Sequence, residues 1–138
     1  MKKILFDTTS EIRVSIGLLL LRLGFGLTMA FSHGIPKLMG YAEKREGFPD
    51  PLGVGNETSL VLVIFAEVFC SFLLVLGFLS RAATIPLIIC MMVAVWVIHG
   101  GDPFIRKELG LMYTYVYLVL LMLGPGKYSL DAKIAEKV

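Results

Sequence analysis

The sequence has little of what a self-sufficient redox or metal enzyme uses. Its two cysteines, Cys70 and Cys90, are far apart, so there is no CxxC dithiol. Its two histidines, His33 and His99, fall in no HxxxH or HExxH spacing, and one helix face therefore offers no metal site. No nucleotide fingerprint or haem-ligand pair is present to carry electrons. Charged residues are 17% of the chain, and the formal net charge of +2 is dispersed along it. Nucleic-acid binding would want a basic stripe or patch, and none exists. Repeats, low-complexity tracts and signs of a second domain are likewise missing.

Apolar residues are abundant. In a chain of 138 residues, 57% are hydrophobic, and the mean hydropathy of +0.80 lies above the soluble balance. They gather into four runs, at 14–32, 59–79, 81–98 and 103–123, and a helical crossing needs roughly 20 residues. The expected fold class is an all-α, integral membrane, antiparallel four-helix bundle, forming a single transmembrane domain over 1–138. The segment 33–58, rich in Gly and Pro with mixed charge, is the expected outer loop. Lys2 and Lys3 are separated from the first run by Asp7, Glu11 and Arg13, and that run is too long for a signal peptide, which predicts an uncleaved first helix. With an even number of spans, both termini share a side. Lys2, Lys3, Arg13, Arg81, Lys127, Lys133 and Lys137 fall there, against Lys37, Lys44, Arg45, Arg106 and Lys107 opposite, so the positive-inside rule puts both ends in the cytoplasm.

Local signals set the boundaries. Ser10 can cap the first helix and Asn56 to Ser59 the second. Ser80 stands between two runs and predicts a tight hairpin. Asp102 followed by Pro103 reads as a cap with proline at the first helical position. Gly124-Pro125-Gly126 ends the last span. Gly26 and Ala30 form a small-xxx-small pair that lets backbones approach, and Pro86 predicts a bend in the third span.

Charge inside the apolar runs is the strongest functional signal. At about 1.5 Å per residue, Arg22 lies roughly 12 Å and Glu67 roughly 18 Å from the cytoplasmic end. An unpaired charge there costs about 2.5–3.5 kcal/mol, so the two are expected to pair inside the bundle. The pair either fixes helix register or forms the wall of a proton-handling cavity. Arg22 and His33 are three turns apart and define a polar stripe on one face. At the outer end His33, Lys37, His99, Asp102 and Glu57 form a second expected group, suited to hydrogen-bonding a carbonyl or anionic head group. Cys70 and Cys90 should reach similar depth across the hairpin. They read as core residues, with a dithiol pair as the alternative. Tyr113 and Tyr117 share a face of the last span, either packing the bundle or lining a pocket.

Several stretches together resemble the DoxX family of small four-helix membrane proteins. They are RLGFGLTMAFSHGIPKL at 22–38, Glu67 in an apolar helix, LGFLSRAA at 76–83, and GPGKYSLDAKI at 124–134. The likeness covers nearly the whole chain after residue 13, and it rests on the combination and order of these pieces. On that resemblance Arg22, His33-Gly34, Lys37, Glu67, Arg81 and Ser129-Leu130-Asp131 match characteristic positions. The family implies a membrane oxidoreductase component, with members associated with thiosulfate oxidation and quinone reduction.

Three functions follow as expectations. The first is a membrane subunit of a redox system that binds a quinone-like ligand. There Arg22, His33, Lys37, Glu67, His99 and Asp102 would form the binding group, Glu67 would be the candidate catalytic residue, and a partner protein would supply electrons. The second is a noncatalytic assembly or scaffold protein, whose polar residues set register. The third is a small-molecule or ion pathway, which four spans would support best as a homo-oligomer. The expected location is a bacterial-type plasma membrane, with the lipid bilayer as a partner.

Overall fold

The computed structural model describes residues 10–137, and among them the chain is helical with no strand. Lys2, Lys3 and Asp7 of the charge reading lie outside the described residues. Among the described residues three helices are long and apolar enough to cross a membrane: α1 (Glu11–Met39), α3 (Asn56–Leu76) and α4 (Ser80–Ile98). Helix α2 is the single turn Tyr41–Lys44. Helix α5 (Phe104–Leu123) has 20 residues but opens with Arg106, Lys107 and Glu108. That charge sets it apart from the other three by composition. Helix α6 (Leu130–Ala135) closes the described chain.

The outward surfaces fit lipid. Leu20, Phe31, Ile89, Trp96, Ile105 and Met122 are all exposed, and such a spread of large apolar side chains is not sustainable against water. The core is correspondingly thin and formed by Leu18, Met29, Leu74, Leu87, Met91, Tyr117 and Leu120.

Helix α1 is longer than expected. It does not stop at Ser32; it passes through a π-helical turn at Met29–Gly34 and continues to Met39. Pro36 therefore sits inside a continuous helix, with the wider turn just before it. A proline ring removes one backbone bond and crowds the preceding turn, so an adjacent π turn is a natural accommodation. The loop consequently begins near Gly40, and His33 and Lys37 belong to the helix. Helix α3 carries a second π turn, Phe65–Cys70, which packs on the first, and α4 ends in a third, Ala94–Ile98.

Close approach of α1 and α3 depends on small residues. A Cβ at Gly26 would lie 2.7 Å from Val75 Cγ2, and one at Gly34 would lie 2.8 Å from the Glu67 carbonyl oxygen. With Ala30 fully buried between them, the small-xxx-small pair extends to Gly34. Gly17 and Gly24 meet nothing on that side.

The hairpin joining α3 to α4 is tight, as expected. Gly77 (φ 70) and Leu79 (φ 47) take left-handed backbone conformations. Asp131 caps α4: its carboxylate accepts from Leu79 N at 2.8 Å and Ser80 N at 2.9 Å. Asp131 N in turn donates to the Gly77 carbonyl at 2.8 Å. The start of α1 reaches the same end, where Lys127 N donates to Ser15 Oγ at 3.3 Å. Both ends of the described chain thus meet at the hairpin end.

Three cap expectations are corrected. Ser10 occupies the cap position of α1 without a side-chain cap bond. Pro103, and not Asp102, is the cap residue of α5, because the Asp102 carboxylate is engaged elsewhere. At the start of α3, Gly55 takes the cap position. Asp50 ties that turn from the loop, accepting from Val54 N, Gly55 N and Ser59 Oγ at 3.0, 2.8 and 2.7 Å.

Candidate functional site: a buried ion pair on an apolar cavity

The expected Arg22–Glu67 pair does not form. Arg22 is 1% exposed, and it donates to backbone carbonyls: Leu74 at 3.3 Å, Val75 at 3.2 Å and Tyr128 at 2.5 Å. Leu74 lies about two turns beyond Glu67, or about 10 Å along α3. Antiparallel pairing therefore sets Arg22 against the last turn of α3, where carbonyls run out of intrahelical donors: the guanidinium serves Val75 and shares the Leu74 carbonyl with Gly77 N. Arg22 is a clamp at the hairpin end, joining α1, α3 and the segment before α6.

Glu67 pairs instead with Lys37. Their Nζ–Oε2 distance is 2.6 Å, with side chains 23% and 5% exposed respectively. The extra turns of α1 make this possible by carrying Lys37 alongside α3. Lys37 also donates to the His33 carbonyl at 3.3 Å. Glu67 lies in the π turn Phe65–Cys70, and His33 and Gly34 lie in the π turn Met29–Gly34. Such local widenings of a helix recur at functional sites. On the other side of Glu67, Cys90 Sγ stands 4.0 Å from Oε1.

This ion pair forms part of the wall of a cavity of about 480 Å³ between α3, α4 and the loop. Leu62, Ala66, Pro86, Ile89 and Met91 are among its apolar walls, and Phe48, Pro49, Pro51 and Leu52 come from the loop. Lys37, Glu67, Cys90 and Ser59 are the polar residues of the lining. Ser59 is already committed to Asp50. The volume and the ratio of apolar wall to a few convergent polar groups suit a small-molecule site.

The expected outer polar group separates into pieces. Lys37 joins Glu67, while the His33 ring packs edge-on to Tyr113 at 5.9 Å. His99 and Asp102 come together in the α4–α5 turn, Nδ1 to Oδ2 at 2.7 Å, with Arg106 at 3.6 Å. Hydrogen bonding to His99 holds the Asp102 carboxyl below its usual range, with Arg106 assisting. This turn contributes nothing to the cavity lining. Glu57 is exposed and accepts from Tyr41 at 2.6 Å, which raises the Tyr41 phenol. Tyr113 and Tyr117 pack in the core at 5.8 Å, away from the cavity wall. Cys70 and Cys90 are both free thiols, Cys70 in the core and Cys90 at the cavity. Among the described residues no group of three or more His, Cys, Asp and Glu is arranged for a metal ion.

Sequence reasoning had Lys37 and Glu67 as candidates but not as partners. It also missed Asp50 and the loop residues that roof the cavity. No local signal marked the pairing: 29–35 reads Met-Ala-Phe-Ser-His-Gly-Ile, so Ser32, His33 and Gly34 interrupt the apolar run just where the helix continues. Nothing local in the loop marks Phe48 or Leu52 as cavity residues.

The fold and site define an α-helical membrane protein with a part-buried ion pair on an apolar cavity. The DoxX family profile matches residues 17–100, more than half of the chain, and the protein belongs to the DoxX family. An uncharacterized protein of Haemophilus influenzae is 31% identical over 132 residues, covering 89% of this chain and 87% of its own length. An uncharacterized membrane protein of Mycobacterium tuberculosis is 29% identical over 142 residues, covering 85% and 80%. No solved structure matches.

Proposed function

We propose that this protein is the membrane subunit of a redox system and binds a quinone-like ligand beside Lys37 and Glu67. The observation that carries the reading is an ammonium–carboxylate pair, 2.6 Å apart, with Glu67 buried and Lys37 part-buried, on the wall of an apolar cavity of about 480 Å³. A quinone head needs that combination: a donor for a carbonyl oxygen, an acceptor for a hydroxyl, and apolar walls for the ring. Lys37 supplies the donor and Glu67 the acceptor, and the pair can hand over or take up the proton that accompanies reduction or oxidation of the head. Electrons come from a partner protein.

In this reading all four long helices cross a plasma membrane as an antiparallel bundle. Arg13, Arg81, Lys127, Lys133 and Lys137 gather towards the hairpin end, which is then the cytoplasmic side. The early charges of α5 lie at the opposite interface. Arg22 leaves the binding group of the sequence reading and takes a structural role, and His99 and Asp102 leave it as well.

The test is binding of a short-tailed benzoquinone to the purified protein in nanodiscs. Lys37→Met should weaken binding by about tenfold or more, the loss of one hydrogen bond to a charged group. Arg22→Met should leave the affinity of the folded fraction unchanged. Equal affinity in wild type and Lys37→Met would refute the site.

A further inference from the structure

We infer that the cavity is filled sideways from the bilayer, through the seam between the outer halves of α3 and α4, by an amphiphile with an uncharged head. This rests on the membrane reading above and extends it to route and charge class.

Helices α3 and α4 are held together at the hairpin end by the tight turn at Gly77 and by the Asp131 cap. Towards the loop end, the outer turns of α3 pack on Ile35–Met39 of α1, and the cavity occupies the space between α3 and α4. Its walls run from Ser59 to Glu67 on α3 and from Pro86 to Ile98 on α4. The second of these covers about 18 Å of axis, so the cavity is drawn out along the helices and not confined to one level.

The rim of the seam is apolar and open. Leu62 is 51%, Phe65 45% and Ile89 55% exposed, although each also lines the cavity. In a bilayer these side chains face hydrocarbon, and a tail passing between them exchanges one apolar environment for another. The aqueous side is roofed by Phe48, Pro49, Pro51 and Leu52, and the roof is pinned by Asp50 through Val54, Gly55 and Ser59. A polar solute would have to pass that apolar roof, whereas a lipid-dissolved one meets no such barrier.

The head-group class follows from charge. Lys37 and Glu67 neutralise one another at 2.6 Å, so the polar wall has no net charge. A carboxylate or phosphate head would take Lys37 and leave Glu67 buried and unpaired, and a cationic head would do the reverse; either outcome is heavily disfavoured. An uncharged head with a carbonyl or hydroxyl can insert hydrogen bonds beside the pair without breaking it.

The experiment uses the full chain in lipid nanodiscs and three photoreactive probes with one common diazirine-bearing tail. Their heads are a benzoquinone, a primary alcohol and a carboxylate. Cross-links are mapped by mass spectrometry. Both uncharged probes should label seam residues around Phe65 and Ile89, and the carboxylate probe should label them at least about tenfold less. Ile89→Trp should reduce seam labelling and Phe65→Ala should increase it; both positions are exposed enough to keep the fold, which circular dichroism checks. Labelling that is undiminished in Ile89→Trp and not increased in Phe65→Ala would overturn the lateral route. Equal labelling by the carboxylate probe would overturn the uncharged class. If the alcohol labels the seam and the benzoquinone does not, the route and charge class stand and the quinone reading fails.

Discussion

A double-mutant cycle at Arg22, Lys37 and Glu67 separates the observed polar network from the one an intramembrane charge count suggests. Replacing Arg22 by Met removes its hydrogen bonds to the Leu74, Val75 and Tyr128 carbonyls. The Leu74 carbonyl keeps a partner, Gly77 N at 3.1 Å. The Val75 and Tyr128 carbonyls lose theirs, and a buried unsatisfied group costs about 1–3 kcal/mol, for a gross loss of about 2–6 kcal/mol. Methionine recovers part of this, since burying a guanidinium is itself unfavourable, and the net destabilisation should be about 2–4 kcal/mol. None of it should depend on Glu67. The Arg22→Met and Glu67→Gln effects should therefore add to within about 0.5 kcal/mol. Lys37→Met and Glu67→Gln, which break one pair from its two sides, should couple by about 1–3 kcal/mol. Reversible unfolding in bicelles, followed by the fluorescence of Trp96, measures all three. A coupling above about 1 kcal/mol between Arg22 and Glu67, with none between Lys37 and Glu67, would refute the assignment.

Gly34→Ala should destabilise by about 1–3 kcal/mol, because the added Cβ meets Glu67 backbone that cannot step aside; Gly17→Ala, with open space, should be neutral or stabilise by up to about 1 kcal/mol in the same unfolding assay. Asp131→Ala should remove the cap of α4 and cost about 0.5–2 kcal/mol, with faster amide exchange at Leu79 and Ser80. The Asp50 carboxyl is held below its usual range by the hydrogen bond from Ser59 and by the Gly55 amide. Its contribution to loop order is therefore complete above the ordinary aspartate range and lost as pH falls through its own depressed value. Hydrogen exchange at Val54 and Gly55 should accelerate over that acidic window, and Asp50→Asn should abolish the pH dependence.

The sequence made the helices legible because runs of apolar residues have few other fates, and Ser80 marked the hairpin correctly. It misplaced the end of α1 because Gly34 and Pro36 look like terminators, and a π turn that absorbs a proline leaves no separate mark in composition. That one boundary decided the site. A helix ending at Ser32 leaves Lys37 in a loop and gives Glu67 to Arg22; a helix reaching Met39 gives Glu67 to Lys37. Asp131 could be named only by resemblance, since its partners Leu79 and Ser80 are distant in the chain and joined to it only by folding. The cavity was not legible at all, for it is made by the loop and two helices together.

The bond from Arg22 to the Tyr128 carbonyl has a consequence for biogenesis. Synthesis runs from the N-terminus, so Arg22 enters the membrane long before Tyr128 leaves the ribosome, and its guanidinium must meanwhile rely on water, on lipid phosphate or on the translocon. A segment made after all four long helices adds a third carbonyl to the two that α3 offers Arg22, and caps α4 through Asp131. A chain truncated before Tyr128 would retain all four long helices yet hold that charge by the Leu74 and Val75 carbonyls alone, with α4 uncapped.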